Sequence, residues 1–153
     1  IKDSVIGNGV TLKASTVIED SRVGDLCKLG PFARIRGGTE IEGKAELGNF
    51  VEANRSKIGT ESKAKHLTYL GDSNLGKKVN IGAGTITCNY DGKEKHRTVI
   101  GDEAFIGCDT MLVAPINIGR GALTGTGSIV TKDVPADSKA IGSPARILKG
   151  GRS

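Results

Sequence analysis

Aliphatic residues recur every six positions along most of this chain: Ile6, Leu12 and Ile18, then Val23, Leu29, Ile35, Ile41 and Leu47, with Ala53 in phase. After a slip of one residue the series continues through Ile58, Ala64 and Leu70, and after another through Leu75 and Ile81. It resumes at Ile100, Ile106, Leu112, Ile118, Thr124 and Val130. Glycine often follows the aliphatic residue, and a small or β-branched residue often sits four after it, as at Ala33, Val51, Ser62, Thr85, Thr110 and Val134. A six-residue period matches neither an amphipathic helix nor a heptad. It predicts an all-β triangular solenoid, in which each hexapeptide is one short strand plus a corner. The large aliphatic residue points inward, the small one fills the corner, and glycine tolerates the tight backbone there. About seven coils are expected.

The pattern breaks in one instructive place. From His66 to Gly92 the chain reads HLTYLGDSNLGKKVNIGAGTITCNYDG, with one of the two histidines, both tyrosines and a glycine-rich IGAG. Residues 66–86 stay in phase, whereas 87–99 form a polar insertion in a scaffold otherwise spanning 1–135. The segment 136–153 loses the period and gains Pro144, which predicts a short irregular tail or arm. It is expected to cap the stack, since stacked coils leave an open strand edge at each end.

Composition changes the picture little. Aromatic residues make up only 3% and Trp is absent, so the core must come from stacked aliphatic side chains. The net charge of +5 suits an anionic ligand, but the basic residues are scattered singly, which argues against nucleic acid. Cys27, Cys88 and Cys108 are odd in number and far apart, which predicts reduced thiols in a cytoplasmic protein. Two histidines without CxxC spacing predict no metal centre. No apolar run approaches the roughly 18 residues of a membrane span. The chain begins inside a repeat without Met, and is expected to be a piece of a longer protein.

Among the polar residues, His66 stands out for its company. Tyr69 follows it, and Glu52, in FVEAN, lies about one coil earlier. A carboxylate so placed is expected to hold the imidazole in the tautomer needed for proton abstraction.

The strings GPFARIRGG, GNFVEANRSKIG, HLTYLGD, VNIGAGTITCNYDGKEKHRT and IGCDTMLVAP carry a close resemblance to the hexapeptide-repeat acyltransferases. Among these, the chain is similar over roughly residues 5–135 to the acetyltransferase domain of bacterial bifunctional enzymes. Those enzymes acetylate glucosamine 1-phosphate and then uridylylate the product. The resemblance implies a left-handed parallel β-helix, a homotrimer with sites between subunits, acetyl-CoA as co-substrate and a place in UDP-N-acetylglucosamine and cell-envelope precursor synthesis. The uridyltransferase half is absent from this chain, so uridylyl transfer is not expected of it.

Carried over to this sequence, the resemblance makes His66 the catalytic base and Glu52 the acid that orients it. It assigns Arg36, Asn54, Tyr69, Asn80 and Lys95 to the sugar phosphate. Ala83, Asn89 and Tyr90 fall at positions contacting acetyl-CoA or substrate at the subunit boundary. Asn54 stands where the family commonly has Lys, which leaves Arg55 to take over a phosphate contact. Cys108 replaces a cofactor-contacting Ser, and Thr126 replaces an Ala near the cofactor. An Arg that meets CoA falls on Ser143, which transfers that role to Arg146 or Lys149. Two alternatives remain open: acetyl transfer to another amino sugar or a nucleotide-linked sugar, and a non-catalytic β-solenoid module.

Overall fold

Three inward-facing columns of side chains organise the computed structural model, which describes residues 1–148. All of its regular elements are strands, most of two or three residues, and neighbouring coils pair in parallel. The first column stacks Ile6, Val23, Ile41, Ile58, Leu75, Ile100 and Ile118, with Val134 bridged beneath Ile118. Leu12, Leu29, Leu47, Ala64, Ile81, Ile106, Thr124 and Ala140 form the second. The third runs through Ile18, Ile35, Ala53, Leu70, Thr87, Leu112 and Val130. Aliphatic side chains thus stack on one another about 4.8 Å apart, with smaller Ala and Thr residues at several rungs. From Ile18 downward these columns are almost wholly excluded from water.

Inside each coil the step from first to second column and from second to third is always six residues. Every departure falls at the corner that leads from the third column back to the first. That corner is short between Ala53 and Ile58 and between Leu70 and Leu75, shortest between Val130 and Val134, and expands between Thr87 and Ile100. The physical reason is register: a one-residue slip within a hydrogen-bonded face would turn its inward residues outward. A corner only has to reverse the chain, so it absorbs insertions.

The solenoid has about eight turns, one more than the period suggested. Val134, which the pattern placed as a corner filler, is the eighth rung of the first column. The tail is also more ordered than expected. Lys139–Gly142 continues the second column through Ala140, and then pairs antiparallel with Ala145–Leu148. This hairpin caps the lower end of the stack. At the insertion, Thr87 remains in the third column, where its Oγ1 accepts from the Gly71 amide at 2.8 Å. Pairing resumes at Thr98–Ile100. The excursion is therefore 89–97 rather than 87–99.

Two nine-residue strands, Glu46–Asn54 and Lys63–Gly71, run unbroken round the corner between the second and third columns. They pair over their length, with His66 opposite Asn49 and Tyr69 opposite Glu52. At that corner Phe32, Phe50 and Leu67 adopt left-handed backbone, with φ of 55°, 57° and 48°. Such φ values are uncommon for bulky residues. Their side chains are exposed, and the Phe32 and Phe50 rings stack with centroids 5.5 Å apart.

Candidate active site

His66 projects from this exposed corner, one residue before Leu67. Its Nδ1 lies 2.8 Å from Asn49 Oδ1, one coil earlier. With the amide oxygen as acceptor, Nδ1 carries the proton and Nε2 keeps a free lone pair. The ring is thus held in a base-competent tautomer, by an amide and not by the expected carboxylate. Glu52 is committed elsewhere: its Oε1 accepts from both Nε and a terminal nitrogen of Arg36 at 2.7 Å. In this chain the group beside His66 Nδ1 is Asn49, while Glu52, expected to orient the ring, pairs with Arg36. A coil of seventeen residues brings position 49 beside 66, and that arithmetic was available in the sequence.

Below His66 the same corner descends in file. Gly84 N–H donates to Leu67 C=O, Asp109 N–H to Ala83 C=O, and Gly127 N–H to Cys108 C=O. Ala83, Cys108 and Thr126 therefore line one track from His66 toward the C-terminal cap, about 14 Å over three rungs. Arg146, opposite Ile141 in the closing hairpin, is exposed at the lower end of that track. Lys149 lies outside the described residues.

The remaining predicted residues gather at the other corner, where the insertion leaves. Arg55 grips Asp72 with two parallel bonds, Nε to Oδ1 at 2.7 Å and a terminal nitrogen to Oδ2 at 2.9 Å. Asn89 donates to the same carboxylate. The Arg55 guanidinium, then Asn89 and the nearby Lys95 charge, hold the Asp72 carboxyl below its usual range, against the opposing effect of burial. The pair likewise raises Arg55. Arg55 is thus engaged within its own chain. Asn54 is only 2% exposed, and its Oδ1 has no hydrogen-bond partner. It abuts Gly37, whose missing Cβ would come within 2.4 Å of that oxygen. Expected to touch the sugar phosphate, Asn54 instead packs inward. Tyr69 lies close by, its hydroxyl near Gly71, and Asn80 faces outward on the wall between the first two corners.

The insertion is a closed hairpin. Tyr90 bridges Lys95, and Tyr90 OH donates to Gly92 C=O at 2.7 Å. Asp91 Oδ1 accepts from the amides of Lys93 and Glu94, while Oδ2 meets His96 Nε2 at 2.6 Å. These bonds, the Glu94 amide foremost, depress the Asp91 carboxyl far below the usual range. The hairpin therefore presents Tyr90 and Lys95 outward from a rigid base. Asp91 and His96 were not singled out in the sequence, because an Asp and a His five apart have no meaning until the loop closes.

Asp72 supports a stability prediction. Its folded-state pKa is lowered, so its contribution is present above the unfolded carboxylate value of about 3.9 and is lost as pH falls through the folded value. Asp72→Ala should lower the unfolding free energy at pH 7 by about 1–3 kcal/mol, because it strands Arg55 and Asn89. Its stability should also fall less steeply than the wild type's below pH 4, measured by urea titration across pH 3–7. Parallel wild-type and variant curves in the acid range would remove Asp72 as the anchor of this corner.

No family model matches the chain. Its fold is shared with known acyltransferases. The solved LpxA, a UDP-N-acetylglucosamine acyltransferase from Bacteroides fragilis 9343, superposes with a TM-score of 0.82 at 16% identity, covering 95% of this chain and 70% of that one. The N-acyltransferase AntD from Bacillus cereus gives a TM-score of 0.65 at 16% identity, over 98% of this chain and 84% of that one. The solenoid is therefore the left-handed parallel β-helix of the hexapeptide-repeat acyltransferases.

In sequence the chain is similar to the bifunctional protein GlmU. It is 53% identical over 151 residues to GlmU of Geotalea uraniireducens (strain Rf4) and 54% over 149 residues to that of Thermosipho melanesiensis (strain DSM 12029 / CIP 104789 / BI429). These alignments take in 99% and 97% of this chain, but 33% of each relative. The chain thus spans about a third of the length of the curated relatives it matches.

Proposed function

We propose that this chain catalyses acetyl transfer from acetyl-CoA to the amine of glucosamine 1-phosphate, as a cytoplasmic step toward UDP-N-acetylglucosamine. The observation that carries the reading is His66, with Nδ1 bonded to Asn49 and Nε2 bare, at the head of the Ala83–Cys108–Thr126 track. The similarity to GlmU over nearly the whole chain adds to it. A track of small side chains suits the extended arm of acetyl-CoA, which brings the acyl thioester, with Arg146 beside the CoA phosphates. The acceptor nitrogen attacks the thioester carbonyl, forming the N–C bond while His66 Nε2 takes the amine proton. The C–S bond then breaks, and the proton passes to the departing thiolate, which restores the base. An imidazole can act as base in the first transfer and as acid in the second.

The same reading calls for a homotrimer. Within one chain His66 and the cluster of Arg36, Asp72 and Asn89 occupy different corners, separated by roughly 15–20 Å of strand, with Tyr69 and Glu52 about 10 Å along the wall between them. One acceptor can meet both sets only where two copies abut. The exposed Phe32–Phe50–Leu67 ladder beside His66 supplies apolar surface for that contact, and the hairpin carrying Tyr90 and Lys95 reaches outward from the other corner.

The experiment is thiol release from acetyl-CoA with a panel of amine acceptors. Release is expected with glucosamine 1-phosphate and much less with UDP-linked amino sugars. Release with a nucleotide-linked sugar alone would replace the acceptor, and release with none would leave a binding module.

A further inference from the structure

The second histidine, His96, has no part in the acetyl transfer derived above, and the register of the hairpin explains where it stands. Tyr90 bridges Lys95 in antiparallel fashion, and the neighbouring His96 N–H donates to Asn89 C=O at 2.7 Å. Side chains alternate from face to face along a strand. One face of the hairpin therefore carries Tyr90 and Lys95, both exposed, and the other carries Asn89, Asp91 and His96. The second face is bonded within the chain: Asn89 to Asp72 at the base, and Asp91 to His96 beyond it.

Asp91 is the hub of that face. Its Oδ1 accepts the Lys93 and Glu94 amides, both at 2.8 Å, which fixes the turn, and its Oδ2 lies 2.6 Å from His96 Nε2. A carboxylate only accepts, so Nε2 carries the proton whatever the charge of the ring. Both oxygens of Asp91 are thereby occupied. The consequence falls on Lys95, which has no acid within ion-pair distance among the described residues. Arg36 and Arg55, at the corner below, are each paired with an acid. Charge-assisted bonds carry the recognition of a phosphate dianion, and an unneutralised ammonium is the stronger donor for it.

We propose that His96 is a positioning residue for the acceptor: by occupying Asp91 Oδ2 it closes the turn and leaves Lys95 unneutralised to meet the acceptor's phosphate. The inference rests on the acetyl-transfer reading and adds a residue to that same site. His96 touches neither substrate and acts through Asp91. Without it, Oδ2 becomes a bare anionic oxygen on the same hairpin as Lys95, free to draw in the ammonium that the phosphate needs. An exposed ion pair standing alone contributes little, so the device depends on the convergence of the imidazole and two amides on one carboxylate.

The test compares His96→Ala, His96→Asn and His96→Gln. The Gln amide nitrogen stands as far out as Nε2 and can donate to Asp91, whereas the Asn nitrogen matches Nδ1 and falls short. In the Ala and Asn variants the KM for glucosamine 1-phosphate should rise by about tenfold, as for most of one charge-assisted bond. Their kcat should stay within about twofold, because the lost contact serves binding. His96→Gln should keep the wild-type KM, and in a Lys95→Ala background His96→Ala should add nothing further. Two readouts need no turnover: the Kd of glucosamine 1-phosphate in the presence of CoA should weaken as the KM does, and the Lys93 and Glu94 amides should exchange faster in His96→Ala. An unmoved acceptor KM, a loss that Gln does not recover, or a loss that adds in full to that of Lys95→Ala would each overturn the proposal. Thiol release with no amine at all would sink the acetyl-transfer reading, whereas amide exchange indifferent to His96→Ala would sink this inference alone.

Discussion

Replacing His66 by alanine should lower kcat by about 10²–10⁴-fold, the range over which a positioned general base contributes. The side chain is exposed, and its one hydrogen bond is to the Asn49 amide at 2.8 Å. Removing it leaves the columns untouched, so unfolding free energy should change by less than about 0.5 kcal/mol. Asn49→Ala gives the companion result. Without the acceptor for Nδ1 the ring can turn and change tautomer, so kcat should fall less than in His66→Ala while acetyl-CoA still binds. The measurement is steady-state thiol release with thermal unfolding on the same samples. Turnover near the wild-type rate in His66→Ala would end its role as base. A loss in Glu52→Ala that exceeds the loss in Asn49→Ala would restore the carboxylate as the orienting group.

A second large effect is expected from Leu70→Ala. Leu70 is fully buried in the third column, between Ala53 above and Thr87 below, with Tyr69 and Gly71 as its flanks. Both neighbours in the column are small, so nothing can move into the hole. A buried Leu→Ala change costs about 2–5 kcal/mol when the site cannot collapse. For a chain of this length that lowers the unfolding midpoint by roughly 5–15 °C. The cavity also undercuts Tyr69 and the Asp72 corner, so activity should fall alongside stability, whereas Leu70→Met should cost less than about 1.5 kcal/mol. A loss below about 1 kcal/mol on calorimetry would mean that the column is not close-packed at this level.

Several details of the site were beyond the pattern, each for an identifiable reason. Thr87 occupies an aliphatic position with a polar side chain, and its hydroxyl answers the Gly71 amide inside the stack. A search for aliphatic residues therefore started the insertion two residues early. Ala140 is the one fully buried side chain of Lys139–Gly142, too faint a signal for a strand, so the capping hairpin read as irregular. The resemblance assigns Asn54 to the sugar phosphate, at a position where the family commonly has Lys, yet its side chain is buried against Gly37. Phe32, Phe50 and Leu67 follow no six-residue rule for burial, and their left-handed corner conformation is a property of the folded coil.

The six-residue rhythm carried the architecture because every coil repeats one steric problem: a large side chain inside, a small one at the corner, and a face whose register cannot slip. That problem is local, so the linear order of residues suffices to state it. Which polar groups meet is a different question. His66 with Asn49, Arg36 with Glu52, and Asp72 with Arg55 and Asn89 each join residues a coil apart. Their pairing depends on coil lengths set at a single variable corner and on which face each strand turns outward. Hydrogen bonds and ion pairs are decided over a few ångströms, and only the stacked coils bring those distances into being.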